Sequence, residues 1–485
     1  MRVNAGNNRR GPGRLTVRAD DPSLTPYAGL AIVGELARST RLVELIDAEL
    51  GTVAGVRVKT RRRGLSPGAL VVSLAECQIA GADCFDDIEN VRADRAGAGL
   101  RAVAGTPSAP TARQQARRYQ RAHVRAIERA QARVAERCDR SAGRDPGEPV
   151  DLDLDGTETE VYGRQKEGAA RSHTGALAYN SYVVTWAQRG RALTSELQGG
   201  NRSRITAPES AAMIARATAL LPDGHGQVTV RGDSGFYSVE LMMLLRAQQT
   251  RFSFSAPRTT RMWSALSQIP EDAWAQADAM RGAQVAETSF TPDGWRHEQL
   301  RLIVRRVSVS ASELLAGHAR ARRRSTIPAE QLQMVLDGQL DSTYAYSFIV
   351  TDIPTEEKDT VQVEHYHRHR AQIEERFKDA KLGQPLRHLP TGDLAANRLW
   401  LTCCLLALNI TALVCDISPA AAASGSAPNN TPMRRHGKAL RRILFCVPAR
   451  ITRSARQTIV HLPAGFRDLH TFQATYTAAY ALGAP

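Results

Sequence analysis

Residues Val150 to Glu160, VDLDLDGTETE, constrain this chain more than any other stretch, because apolar Val150, Leu152 and Leu154 alternate with Asp151, Asp153 and Asp155. Successive side chains of a strand point to opposite faces, so the pattern predicts a strand with one apolar face and one face of three carboxylates. Such groups repel one another, and burying them unpaired is costly, so something cationic is expected over that face. A hard divalent metal, which prefers oxygen ligands, is the economical candidate. An edge strand with its acidic face in water is the bland alternative.

Composition narrows the partners. With 485 residues, 42% of them hydrophobic, the chain is long enough for two or three domains with real cores. Lys and Arg number 64 against 49 Asp and Glu, a formal charge of +15, and such an excess points to a polyanion, nucleic acid first. Seven cysteines without CxxC pairs indicate neither a zinc module nor a disulfide framework and suggest a reduced, cytoplasmic protein. The N-terminus, MRVNAGNNRRGPGR, lacks the apolar core of a secretory signal. Leu399 to Cys415 is the most apolar run, but it is short for a bilayer and holds Asn409, so it reads as a buried helix and no membrane is expected.

Taken in order, residues 1–20 read as a flexible basic tail and 21–145 as a helical N-terminal region that would bind DNA. Helical apolar spacing covers Gly29–Leu50 and Pro67–Ile79, with Ser66 placed to cap the second, and Lys59–Arg63 (KTRRR) forms a basic loop between them. Across Thr111–Arg140, arginines recur every fourth residue, Arg113, Arg117, Arg121, Arg125, Arg129, Arg133 and Arg137. Four residues turn about 400°, so on one helix they form a slowly winding ridge that could follow a phosphate backbone. A solvated, charged helix face is the alternative.

Residues 146–256 begin with the acidic strand. Strands follow at Ala176–Trp186 and Ala192–Gln198, then a helix at Ala207–Leu221, a strand at Gln227–Arg231 leading to Asp233, a helix at Ser238–Gln248 and a strand at Arg251–Ser255. That is the order of a ribonuclease-H-like core, an α/β fold with a mixed sheet flanked by helices, whose first and fourth strands lie side by side. It would bring Asp233 near the acidic face. Residues 257–342 read as an insertion with its own β structure (Gln284–Phe290 and Gln299–Val309) and a basic cluster at His318–Arg324. Residues 343–420 return to the core with a strand at Tyr344–Thr351 and a helix from Thr360, and 421–485 form a basic C-terminal region containing Arg434–Arg442 and Arg450–Arg456.

Within EHYHRHRAQIEERFKDAK, Tyr366, Arg370, Glu374 and Lys381 are spaced by four, four and seven and fall within a helical sector of about 80°. One face thus carries an acid with a phenol and two cations. Alone this is a surface ladder; beside Asp155 and Asp233 it supplies a third carboxylate, with Arg370 and Lys381 placed to hold a phosphate. His365, His367 and His369 alternate, so they point about 200° apart and cannot converge on one ion; they are expected at the surface or facing nucleic acid.

Asp155 in LDLDGTE, Asp233 in VRGDSGFY and Glu374 in RHRAQIEERFKDAK resemble the DDE triad of insertion-sequence transposases of the IS4 superfamily, within it the IS1380 group, which has a β-rich insertion before its Glu helix. The signature around Arg370, Glu374 and Lys381 is similar, as are Gln165–Ala170 (QKEGAA), Gly200–Asn201, Arg450–Arg453 and His461–Pro463. The likeness spans about Leu24 to Pro463. Tyr366 lies one residue further from Arg370 than the signature tyrosine, whose place His367 takes.

The resemblance implies two Mg²⁺ ions, with Mn²⁺ as a substitute, held by Asp155, Asp233 and Glu374, with Asp153 as an alternative first ligand. It implies cleavage of element ends by water and attack of the freed 3′-hydroxyl on target DNA. Double-stranded DNA would be contacted by Arg370, Lys381, Tyr366, Arg113, Arg117, Arg121 and Arg125. A homodimer on DNA, in a bacterial cytoplasm at the nucleoid, follows by analogy. Two rivals remain. Asp153–Thr157 (DLDGT) resembles the nucleophile motif of haloacid-dehalogenase-like phosphatases, with Asp153 attacking phosphate, although Tyr237 stands where that family's later Asp is expected. A DNA-binding relic without catalysis is the other.

Overall fold

A computed structural model describes residues 17–483 except 56, 60–62, 164, 173, 203–204, 316–323 and 419–434, together with two short strands, Arg2–Val3 and Leu15–Thr16. The centre of the KTRRR loop, nearly all of the basic cluster at His318–Arg324, and Arg434 lie outside the described residues.

The N-terminal apolar patterns become packed helices. Gly29–Leu50 is two of them, α1 (Leu30–Ser39) and α2 (Leu42–Gly51), separated by Arg41 at φ 57°. α3 (Pro67–Ala80) begins as its sequence predicts: the Ser66 hydroxyl accepts from the Ala69 N–H, Pro67 occupies the first turn, and Gly81 at φ 112° ends it. The arginine-rich stretch is likewise two helices, α4 (Ala109–Ala116) and α5 (Arg121–Ser141), so its arginines do not form the single ridge expected from their spacing.

The acidic stretch is β1 (Val150–Glu160), and it is an inner strand, not an edge. β2 (Leu177–Trp186) pairs antiparallel with it, and β3 (Arg191–Gly199) pairs with β2. After α6 (Ala207–Thr218), whose N-terminus is closed by a Thr206–Glu209 capping box, the chain returns as β4 (Val228–Gly232), parallel to β1 on its other side. α7 (Val239–Ala247) then leads to β5 (Arg251–Ala256), parallel to β4.

The strands of the insertion do not build a separate sheet. β6 (Ala283–Phe290) and β7 (Leu300–Ser310) form a hairpin, β7 pairs with β8 (Ser342–Thr351), and β8 pairs with β5. The result is one ten-stranded sheet in which the order β6-β7-β8-β5-β4-β1-β2 is continuous. Main-chain pairing has removed β5 as an open edge, the usual liability of such a strand.

Two apolar cores lie on opposite faces of this sheet. Val150, Leu152 and Leu154 of β1 pack with Met213 and Ile214 of α6 and Leu241 and Met242 of α7. On the acidic face, Tyr179 and Val183 of β2 and Leu197 of β3 join a larger core made by α1, α2, α3, α5 and α10 (Leu394–Ile417). Hydropathy and length alone would let α10 cross a membrane, but 89% of its apolar window is buried among the other elements, the environment expected from its sequence. Beyond β1 and β4 the same face is covered by α8 (Thr360–Arg368), whose Val363 packs on Ile303 and Ile349. The pairing of β1 with β4 ends at Leu154 and Gly232, and β1 runs on to Glu160.

Candidate active site at the ends of the central strands

The helix expected over 364–381 is interrupted. α8, capped by a reciprocal Asp359–Gln362 box, ends at Arg368; a 3₁₀ turn covers His369–Ala371; α9 (Gln372–Leu382) follows. Three of the four signature residues are laid along β1. The Tyr366 hydroxyl donates to Asp151 Oδ1 at 2.7 Å, Arg370 Nη1 lies 3.5 Å from Asp155 Oδ2, and Lys381 Nζ donates to the Glu158 carbonyl at 3.2 Å. Glu374 stands exposed on α9.

Asp155 and Asp233 each lie one residue beyond the last pair of the two strands, Leu154 with Gly232; β1 runs on to Glu160, whereas the chain turns after Asp233. Asp155 Oδ1 accepts from the Gly156 N–H at 2.7 Å, and Asp233 Oδ1 accepts from the Gly235 N–H at 2.8 Å, an Asx-type turn at the end of β4. Gly156 and Gly232 admit no side chain: a Cβ on either would come within 2.8 Å of a ring carbon, of Tyr182 and of Phe254 respectively. At both glycines the main chain lies close against an aromatic ring.

The electrostatics of Asp155 tie the three acids together. Its pKa is pushed up to about 6, chiefly by burial; the Gly156 N–H and the Arg370 guanidinium pull it back down, and the charges of Asp233 and Glu374 push it up again. Register sets Asp233 beside Asp155, while Glu374 stands on the exposed face of α9. Among the described residues, however, no three His, Cys, Asp or Glu side chains are close enough to form a ready cation site. The donors are still those a hard divalent ion takes, and their mutual repulsion is what such an ion would relieve. Arg370 supplies the nearest positive charge to Asp155 in this arrangement.

Asp153 does not share this setting. Both of its oxygens accept from Arg231, at 2.7 Å from Nε and 3.0 Å from Nη2, and the residue is 1% exposed. At Asp153, the alternative first metal ligand, a guanidinium already provides the cation expected over the strand. The phosphatase reading needs an accessible oxygen on Asp153 to attack phosphate, which this buried pairing does not leave. Arg231 further donates to the Tyr366 carbonyl at 2.9 Å, and its guanidinium lies 4.8 Å from the Tyr366 ring centre. It was missed in the sequence, although VTVRGD places it two residues before Asp233 and so on the same face.

One of the three histidines departs from expectation. His367 is buried, bracketed by the Ser253 and Ser255 hydroxyls, both at 2.9 Å, and burial together with Arg370, Arg231 and Arg305 holds its pKa well below the usual value. His365 Nδ1 faces Asp278 at 3.0 Å and His369 Nδ1 meets the His365 carbonyl at 2.7 Å.

The N-terminal arginines are largely engaged within the chain. Arg113 pairs with Asp86, Arg117 with Asp393 and Arg121 with Glu196, while Arg129 and Arg133 both reach Glu49 of α2. Arg125 is exposed. The QKEGAA stretch latches the loop that follows α9: Lys166 Nζ donates to the Leu389 and Thr391 carbonyls at 2.6 and 3.1 Å, and the Glu167 N–H to Gly392 at 2.8 Å. Arg450–Arg453 and His461 lie on a hairpin, Ala449–Ser454 with Gln457–His461, that pairs with Leu24–Thr25.

A family model described as transposase DDE domain group 1 matches residues 9–482. No curated protein matches the chain. Among solved structures, the cryo-EM structure of the piggyBac transposase synaptic complex with hairpin DNA is similar at 10% sequence identity, covering 87% of this chain and 79% of that one with a TM-score of 0.39.

Proposed function

The chain belongs to the DDE transposase domain family, group 1, and from that premise we propose that it cleaves the ends of an insertion sequence and joins them to target DNA at a centre formed by Asp155, Asp233 and Glu374. The observation that carries this reading is the placement of Asp155 and Asp233 side by side, each one residue beyond the Leu154–Gly232 pair, with Arg370 of the segment that leads to Glu374 3.5 Å from Asp155. The family's finer placement is with the IS4 superfamily and its IS1380 group. The order β3-β2-β1-β4-β5 is read as its ribonuclease-H-like core, which β8, β7 and β6 extend.

Asp155, Asp233 and Glu374 would hold divalent cations, Mg²⁺ with Mn²⁺ as a substitute, which when bound favour deprotonation of the attacking water or 3′-hydroxyl and offset charge on the departing oxygen. Arg370 and Lys381 stand on either side of Glu374 in sequence, and both face β1. Their charges suit a phosphate at the reacting bond, and Arg370 would exchange Asp155 for that phosphate as DNA enters. Tyr366 is given a different role from DNA contact: its hydroxyl anchors α8 to Asp151. Double-stranded DNA is the substrate, the helical N-terminal region with exposed Arg125 is its further contact, and a homodimer pairs the two ends. The reaction takes place at the bacterial nucleoid, without a membrane.

Asp155→Ala, Asp233→Ala and Glu374→Ala are each expected to abolish Mg²⁺-dependent nicking of a transposon-end duplex while gel-shift affinity for that duplex is kept. A variant that nicks at the parent rate removes its residue from the centre. A parent chain that binds ends but never nicks them, with either metal, is a relic.

A further inference from the structure

The polar face of β1 does not stop at Asp233. Register carries it across the sheet: Ser253 pairs with Arg231, Ile349 with Ser255, and Ser347 with Arg305, so side chains of β5, β8 and β7 continue the face that holds Asp155. Between that surface and the 3₁₀ turn at His369–Ala371 lies a cleft of about 290 Å³ that opens beside Asp233.

Its lining is cationic. Arg258, Arg305, Arg368 and Arg370 face it with the hydroxyl-bearing Ser234, Ser255 and Ser347, against two acids, Asp233 and Glu364. Glu364 is fully buried and shared by Arg305 at 2.7 Å and Arg368 at 3.2 Å, so one carboxylate holds two guanidinium groups and leaves them an unbalanced charge. Arg305 Nε is buried and finds no hydrogen-bond partner among the described residues. Among the described residues, Arg258 has a carbonyl partner, Tyr346, at 3.2 Å from its Nε, and no carboxylate partner. His367, whose ring lies in the same wall, is kept from protonating chiefly by burial, with Arg370, Arg231 and Arg305 adding to it. Planar guanidinium groups arranged this way match the geometry of phosphate oxygens.

We propose that this cleft is a phosphate subsite that seats a backbone phosphodiester of the DNA strand next to the bond being cut. The insertion strand β7, which supplies Arg305, thereby grips substrate as well as extending the sheet. This rests on the DNA-cleaving reading for its ligand but not for its measurement, because gripping a phosphate needs no metal and no cleavage.

The test is duplex binding by the full-length chain without metal, followed by fluorescence anisotropy over a range of salt. Taking away one arginine that neutralises a phosphate lowers the slope of log affinity against log salt by about one. Arg258→Gln is expected to weaken binding about three- to ten-fold near physiological salt and reduce the slope by about one. Arg305→Gln is expected to do the same, and Arg467→Gln, at an exposed arginine elsewhere, to do neither. An unchanged slope in both cleft variants, with their melting temperatures kept, overturns the subsite. Inorganic phosphate binding that depends on Arg258, with an unchanged duplex slope, overturns the DNA assignment in favour of a free-anion site. If the slopes fall but the three alanine variants of the triad still nick DNA, the subsite stands and the catalytic centre is wrong.

Discussion

Asp151, Asp153 and Asp155 carry the same side chain on the same face of one strand and end in three different states. Asp151 accepts from a phenol, Asp153 is sealed against Arg231, and Asp155 sits half-buried beside Arg370 with its pKa raised to about 6. What separates them is the element opposite each one. Arg231 acts as a positioning residue because it is on the strand of Asp233, binds the strand of Asp155 and bonds the helix that leads to Glu374. Removing one member of a buried pair leaves an uncompensated charge, so Arg231→Met is expected to cost roughly 3–5 kcal/mol. Asp153→Leu should cost a similar amount, and the double variant should recover much of the loss. Urea unfolding of the four chains measures the coupling; simple additivity would mean that the pair does not work as a unit.

At the scale of elements, α8 is the lid on the polar side of the sheet, and it is held down by polar contacts where a core helix would use apolar ones. Val363 is its apolar anchor, against Ile303 and Ile349, while Tyr366, His367 and Glu364 bond to β1, β5 and β7. The 3₁₀ turn that follows is more tightly wound than an α-helix and shifts the phase between α8 and α9. Tyr366→Phe keeps the ring that lies near Arg231 and deletes only the hydroxyl bonded to Asp151. A hydrogen bond to a charged group contributes about 1.5–3 kcal/mol, so the variant is expected to lose stability in that range and to show faster amide exchange in α8. Parent-like stability and exchange would show that the hydroxyl is not the anchor.

The whole molecule is joined by α10, which lies between the N-terminal helices and the sheet. Its buried Asn409 satisfies both main-chain groups of Ala192 on β3, the N–H at 2.9 Å and the carbonyl at 2.8 Å, and also donates to Gln131 of α5 at 2.8 Å. One side chain of α10 therefore bonds two other parts of the fold, β3 and α5. Asn409→Leu would leave those buried groups unpaired, at about 1–3 kcal/mol each. Because the core on this face is continuous from α1 to β3, calorimetry is expected to show one transition that moves down as a whole. A variant in which the N-terminal helices melt separately, with the sheet unchanged, would show that α10 does not couple them.

Period and local chemistry were enough for much of this architecture. Alternation located β1, the Ser66 cap set the start of α3, and the strand and helix order put β4 beside β1 and so Asp233 near Asp155. These features depend on residues near one another along the chain, where spacing alone reports which side chains share a face. The state of each acid was not readable in that way. Whether Asp153 meets a metal or a guanidinium depends on Arg231 arriving from another strand, whether His367 is wet or dry depends on β5 lying beneath it, and whether the insertion stands apart depends on β8 pairing with β5. Charge and burial are properties of the space around a group, and only the folded chain decides what fills that space.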